Sequence, residues 1–404
     1  MKVLTQLHLA NAWGVIQEGL ACEAFPGAAV GVASSKEVLF LKAGGFSRIE
    51  PSQRPMHQDD VFDLASLTKP MATAAALLRL VHLGRLSLNE PVSAYIKEWR
   101  RPGLSHITIR HLLTHTSGLP AWFPLYTKAA NQDEVLTQIS KLGLVYETGS
   151  RVEYSCLGFI VLGILVERVS GLTLSTACQE LVFSPLDMME TAYLPLETLK
   201  VDPERLVYNE ADNLVEKSMI QRAGFSFSNW QEGYRVGTPN DGNACYAMEG
   251  ISGNAGLFST ARDLLIFGQA WLNSLSGHKK EFLSPSLAWA AVSNHTPGLN
   301  SARGLGWMLF RDTLITQEEM SLPPSMIPYL TPPPYLTPSP RSSGELLSKK
   351  AFGHTGSTGT SLWIDPEKDL VMTLLTNRLH TKTKMDLNTI RARFHNAVIT
   401  DLGL

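Results

Sequence analysis

The chain has 404 residues, 44% of them hydrophobic and 18% charged, the profile of a globular protein long enough to bury a large core. Lysine and arginine number 35 against 37 aspartate and glutamate, a net charge of −2. No basic excess points to nucleic acid, and no polybasic tract points to an anionic membrane.

Apolar residues recur at helical spacing over residues 3–22 (Val3, Leu4, Leu7, Leu9, Trp13, Val15, Ile16, Leu20), which predicts a packing helix broken by Pro26 and Gly27. Ala28–Ala33 and Val38–Ala43 are β-prone and joined by Ser34–Glu37, the pattern of a hairpin. Ser66-Leu-Thr-Lys69 then opens an apolar run, Met71–Leu80, with Asp63 and Pro70 placed to suit a first helical turn. From about 80 to 250 helical patterns dominate. Ile107–Gly118 reads as a capped helix ending at glycine, and Leu157–Val169 as an apolar helix closed by Gly171. Gly256–Phe267 reads as a loop and then a helix capped by Ser259 or Thr260. Strands return in Gly304–Phe310, Gly359–Asp365 and Leu370–Thr376, the last two around the turn Pro366–Asp369, before a terminal helix Thr389–Leu402. Residues 322–344 are rich in proline and serine and predict an exposed, extended insertion of ~25 residues.

Strands at both ends and helices between predict an α/β fold of the α+β type. One antiparallel sheet is built from both termini and flanked by helices, with a helical subdomain inserted. The whole chain, 1–404, is read as one domain. Its α/β part is about 1–65 and 285–404, and its helical part about 66–284. A site would sit in the seam between them. The cysteines Cys22, Cys156, Cys178 and Cys245 show neither Cys-x-x-Cys pairing nor zinc spacing, so a reducing compartment suits them. The longest apolar run, near Leu157–Val166, falls short of the ~20 residues of a membrane span. The N-terminus lacks the apolar core of a signal peptide, and a cytoplasmic location is expected.

Three islands carry chemistry. On a helix, Ser66 and Lys69 share a face, so a hydroxyl meets an amine that burial can deprotonate. The second island is Tyr154-Ser-Cys156, at the start of the apolar helix. A tyrosine can serve as general base when a neighbouring ammonium lowers its pKa. The third is Gly353-His-Thr-Gly-Ser-Thr-Gly359, before a strand. It offers the Ser357 N–H, which with the Ser66 N–H can form an oxyanion hole.

These islands, in this order, resemble the serine β-lactamase and penicillin-binding protein family, in its class C-like branch of β-lactamases, D,D-carboxypeptidases, D-aminopeptidases and esterases. Phe62–Lys69, Ile107–Pro120, Gly253–Thr260 and Gly353–Asn377 all resemble family segments. The resemblance implies Ser66 as nucleophile, Lys69 as its activator and Tyr154 as general base, then acid. It implies an oxyanion hole at Ser66 and Ser357, and substrate contacts from Cys156, His354, Thr355 and Gly356. The reaction implied is acyl transfer through an acyl-enzyme, without metal or cofactor, on a small-molecule or short-peptide acyl substrate. A D,D-carboxypeptidase-like or β-lactamase-related hydrolase is expected first, an esterase second, and a non-catalytic binding or scaffolding member third. Two positions depart from the pattern. Cys156 replaces the usual asparagine of the second motif, and His354 replaces the lysine of the third.

Other residues are read as structural. His111 and His115 have a zinc-compatible spacing but lack the glutamate of a metalloprotease helix. The glycines of residues 353–359 precede a strand, not the helix a phosphate loop needs. Cys156 is read as a small buried residue rather than a reactive thiol. Asp63 and Glu249 are read as local caps or pairs, and Trp307 and Trp363 as packing residues.

Overall fold

The computed structural model describes residues 7–277, 282–310, 340–381 and 385–404. In chain order the strands are β1 Gly27–Ala33, β2 Val38–Arg48, β3 Arg54–Pro55, β4 Phe62–Asp63, β5 Ala192–Tyr193, β6 Leu257–Ser259, β7 Met308–Leu309, β8 Phe352–Thr355, β9 Ser361–Asp365 and β10 Leu370–Thr376. Seven form one antiparallel sheet in the order β3-β2-β1-β10-β9-β8-β7. β1 lies against β10, with Ala28 opposite Thr376 and Ala33 opposite Val371, so the two ends of the chain meet mid-sheet as the pattern predicts. A small second sheet, β4-β6-β5, sits beside the site.

Successive strand residues point to opposite faces, and both faces of β1 and β10 are covered. Val30, Val32, Met372 and Leu374 pack with the helices Ala10–Ala21 and Asn388–Leu402. Ala29, Ala33, Val371 and Leu375 join the larger core with the helix Ala261–Ser276. Double coverage is why these strands read as unbroken apolar runs.

The apolar helix Cys156–Ser170 starts at a Ser155 cap that accepts the Gly158 N–H, and it ends at Gly171 in the left-handed conformation. It packs backbone against backbone: a Cβ on Gly253 would lie 2.0 Å from Phe159 O. Among the described residues no single helix is long and apolar enough to cross a membrane.

Several elements differ from expectation. The first helix begins at Ala10, and the Leu7 N–H bonds to Leu39 O instead of continuing it. Residues 1–6, which the expected helix includes in part, lie outside the described residues. The expected helix 107–118 is helical only over Ile109–Leu113, because the chain leaves it through His115 at φ +59°. The strand expected at 304–310 shrinks to β7, since Gly306 turns at φ +82° and the Leu305 N–H bonds to Ala291 O. The proline-rich stretch lies outside the described residues as far as 339, and Pro340–Ser343 forms a short 3-10 turn.

Candidate active site

β4 ends at Asp63 and the chain bends sharply into the turn Ala65–Leu67. Ala65 sits at φ +47°, a left-handed conformation that costs a non-glycine residue roughly 1–2 kcal/mol. Asp63 holds it there. One carboxylate oxygen accepts the Ala65 N–H at 2.8 Å and the other accepts the Asn240 N–H at 2.8 Å. The chain runs on through a widened π-type segment, Lys69–Ala74, into the helix Ala75–His82. Ser66 and Lys69 therefore share a face, and Nζ donates to Ser66 Oγ at 3.2 Å. Lys69 is fully buried. Its Nζ also donates to Asn254 O at 2.9 Å, and lies 3.5 Å from Cys156 Sγ and 4.9 Å from the Tyr154 ring centre.

The second island is set by a residue that the sequence reading treated as structural. His115 Nδ1 accepts the Ser155 N–H at 3.0 Å, and its ring lies 4.7 Å from that of Tyr154. Ser155 Oγ donates to Pro120 O at 2.7 Å. These bonds fix Ser155, on either side of which Tyr154 and Cys156 come close to Lys69. His111 faces elsewhere, its Nδ1 accepting the Thr108 N–H as part of a helix cap. His106 bonds through Nε2 to Thr148 Oγ1 at 3.0 Å.

The third island is pinned to the first. Thr358 Oγ1 donates to Asp63 O at 2.7 Å, and Thr360 Oγ1 to Leu64 O at 3.0 Å. Gly356 touches the same backbone: a Cβ there would lie 2.4 Å from Leu64 O and 2.2 Å from Thr360 Oγ1. Arg391 reaches Gly356 O at 3.4 Å and Thr360 O at 3.1 Å, the Gly359 N–H also bonds to Gly356 O, and Arg378 Nε bonds to Ser357 O at 2.7 Å. In a planar trans peptide the C=O and the next N–H point opposite ways. Holding Gly356 O on this side turns the Ser357 N–H to the other. Among the described residues no backbone acceptor takes that N–H.

A model of the Beta-lactamase family matches residues 14–397. The chain belongs to the β-lactamase family. An N-acetylmuramyl-L-alanine amidase from Bacillus subtilis (strain 168) is 32% identical over 378 residues, spanning 88% of this chain and 78% of its own. A Salmonella enteritidis PT4 protein named for D-alanyl-D-alanine carboxypeptidase is 27% identical, spanning 93% and 83%. Among solved structures, a class C β-lactamase from Rhodobacter sphaeroides superposes with a TM-score of 0.68 over 98% of this chain and 99% of its own, at 20% identity, a likeness of fold alone. The chain is thus a hydrolase of the β-lactamase family, as its three islands suggest.

Within this family framework, the charge states differ from those expected. Burial works against the Lys69 ammonium, but interaction with Cys156, Tyr154 and Asp241 outweighs it, and the pKa rises above the ordinary lysine value. Burial pushes Tyr154 up to about 12, although Lys69 opposes the shift. Among the described residues its hydroxyl has no hydrogen-bond partner. The free protein therefore holds an ammonium and a phenol here, not the neutral amine and lowered phenol expected. Burial likewise raises the Cys156 thiol, so this cysteine is a neutral neighbour of Lys69 and not a reactive thiolate.

His354, Thr355 and Gly356 do not line the pocket as substrate contacts. His354 is fully buried, its Nδ1 bonds to Thr355 O at 2.9 Å, and its Nε2 has no partner among the described residues. Burial, with Lys69 and Arg303 nearby, drives its pKa far below the usual histidine value, so it cannot supply the charge of a third-motif lysine. Arg303, also buried, went unnoticed in the sequence; it adds positive charge near Tyr154 and His354.

The pocket, about 60 Å³, holds Ser66, Tyr154, Cys156 and Ser357 together. Its remaining wall includes Trp122, Glu216, Met219, Asn240 and Asp241. Trp122, Asn240 and Asp241 fall in loops without local periodicity. Val215 and Met219, four apart on the helix Leu214–Arg222, carried the one sequence signal for this wall. A second cavity of about 630 Å³ adjoins, and Leu379 lines both.

Proposed function

We propose that this chain hydrolyses an amide through an acyl-enzyme on Ser66, with Lys69 and Tyr154 handling the proton. The observation that carries the reading is the 3.2 Å contact of buried Lys69 Nζ with the Oγ of Ser66, which lines the pocket together with Tyr154 and Ser357. Ser66 Oγ attacks the carbonyl carbon and gives its proton to the Lys69–Tyr154 pair, once that pair has lost one proton. The carbonyl oxygen, now an anion, receives the Ser66 and Ser357 N–H groups. Tyr154 returns the proton to the leaving nitrogen, the C–N bond breaks, and water then cleaves the Ser66 ester by the same route.

An amidase-type substrate is favoured over a carboxyl-terminal peptide or a β-lactam. Those carry a carboxylate, and among the described residues lining the pocket there is no lysine or arginine, while His354 is neutral. The 32% identical amidase supports the same choice. D,D-carboxypeptidase activity stands second, supported by the relatives of that name.

A fluorophosphonate probe, followed by intact-protein mass spectrometry, tests the chemistry. One adduct is expected on the protein and none on Ser66→Ala. Assay of muramyl-L-alanine amides beside D-Ala-D-Ala peptides then separates the two substrates. Absence of any Ser66-dependent adduct overturns the reading.

A further inference from the structure

A group that carries a proton has to sit within hydrogen-bond reach of the atoms it serves. Tyr154 has no hydrogen bond at its own hydroxyl, among the described residues, to place it there. Its position is set through the backbone instead, and by one residue. His115 O accepts the Glu153 N–H at 2.9 Å, and His115 Nδ1 accepts the Ser155 N–H at 3.0 Å. The residues on both sides of Tyr154 thus hang on His115. The His115 ring also lies 4.7 Å from the ring of Tyr154, tilted by 45°, and 5.1 Å from that of Phe159.

The left-handed backbone of His115, φ +59°, brings its carbonyl and its imidazole to the same segment. The residue is buried, which shields both bonds from water. Burial also drives its pKa far below the usual histidine value, and Arg303, Lys69 and His354 add to the shift. A neutral imidazole has one acceptor nitrogen, and a protonated one has none. Nδ1 is that acceptor, so the proton sits on Nε2. Further bonds close the frame around the tyrosine. Ser155 Oγ donates to Pro120 O at 2.7 Å, the Cys156 N–H to Ala121 O at 2.9 Å, and the Tyr146 hydroxyl to His115 O at 3.1 Å.

We infer that His115 is the positioning residue of Tyr154: its carbonyl and its Nδ1 bracket the tyrosine through the Glu153 and Ser155 N–H groups, and its ring packs against the phenol. This role rests on the acyl-enzyme reading above and gives it a residue outside the described pocket lining. Losing the acceptor at Nδ1 leaves a buried N–H unpaired, and the segment moves to pair it. A displacement of about 1 Å is enough to cost roughly a hundredfold in rate. The hydrogen bond matters more than the bulk of the ring, because a bond fixes direction and apolar packing does not.

The test uses the full chain and two acetyl substrates that differ only in leaving group. The phenolate of p-nitrophenyl acetate departs unprotonated, whereas the nitrogen of p-nitroacetanilide needs the proton of Tyr154. His115→Leu keeps bulk and loses the acceptor; His115→Asn keeps an acceptor and suits left-handed backbone. His115→Leu should lower kcat on the anilide about a hundredfold, and on the ester roughly tenfold, with KM nearly unchanged. His115→Asn should bring the anilide-to-ester ratio back to within about threefold of the unaltered protein. In a Tyr154→Phe background the leucine substitution should cost less than about twofold on the ester, because no hydroxyl remains to be placed. Equal losses on both substrates, with the full loss repeated in the double variant, mark a general structural defect and overturn the inference. Should His115→Leu fail to show a cooperative melting transition, His115→Ala makes the same comparison. With the ester alone turned over, the double-variant comparison decides. No turnover of either substrate by the unaltered protein counts against the acyl-enzyme reading, and a crystal structure of the leucine variant then decides the positioning role. A Tyr154 hydroxyl displaced by about 1 Å supports it, and an unmoved tyrosine refutes it whatever the turnover.

Discussion

Replacing Glu216 with glutamine should stabilise the protein above neutral pH and leave it nearly unchanged in acid. Glu216 is buried against Asp241, and its carboxyl is pushed from 4.5 up to about 7, with burial the larger cause and Asp241 the next. In the unfolded chain it ionises near 4.5, while the folded chain holds the proton until about 7. Raising the pH across that window therefore favours the unfolded state. Below about 4.5 the penalty is absent, and above about 7 it is complete, on the order of 3 kcal/mol. Glutamine removes the charge and keeps the shape. Its carbonyl can accept the Gly242 N–H, and its amide can donate to the Tyr126 oxygen. For 404 residues, that energy corresponds to roughly 3–4 °C in melting temperature. Calorimetric scans of Glu216→Gln and the unaltered protein at pH 4.5, 6, 7 and 8 measure it. Asp63 and the buried histidines titrate in both proteins, so the difference between the two isolates Glu216. A gap opening from near zero to 3–4 °C is expected. A gap that stays constant from pH 4.5 to 8, or closes with rising pH, refutes the reasoning.

Other consequences follow from the site. With Tyr154 up to about 12 and Lys69 above its ordinary value, kcat/KM on a neutral ester should climb from pH 7 to 9 without a plateau, because deprotonation creates the active pair; a plateau reached by pH 7 in a pH-rate profile contradicts this. Lys69→Met should lower the same rate at least about a thousandfold, of the size expected when a nucleophile loses its activating base. Gly356→Ala forces a Cβ to within 2.4 Å of Leu64 O and should cut ester turnover about a hundredfold or more while lowering the melting temperature; near-normal turnover would show that the turn does not place the oxyanion donors. Native protein should titrate exposed Cys22 with a thiol-disulfide reagent but not buried Cys156, which should react only on unfolding.

What the sequence made legible was local. The Ser66–Lys69 contact follows from i,i+3 spacing, and the hairpins and apolar helix follow from period and caps. The order of the three islands located the pocket, since the strands at both ends had to meet. Burial was less legible. His354 reads as a cleft residue on motif order, yet β8 carries it under the surface, and His115 reads as a helix residue, yet the left-handed turn swings it against Tyr154. The acidic wall was least visible of all. Trp122, Glu216 and Asp241 come from three segments that only tertiary packing brings together, so no window of the chain contains their pattern.

The charge arrangement that results has a direction. Lys69 and the buried guanidinium of Arg303 lie on the catalytic side, with Arg378 and Arg391 gripping the carbonyls of the oxyanion turn. Asp241 and Glu216 line the pocket, and Glu23, Glu50 and Glu210 line the adjoining cavity. Positive charge near Ser66 stabilises an alkoxide and an oxyanion, which every acyl transfer on this site needs. The negative wall does nothing for that chemistry. A substrate carboxylate ~5 Å from an ionised carboxylate would be repelled by roughly 3 kcal/mol at an effective dielectric of ~20, more than a hundredfold in binding. Replacing the third-motif lysine by a buried neutral histidine removes the attraction a carboxylate would have met.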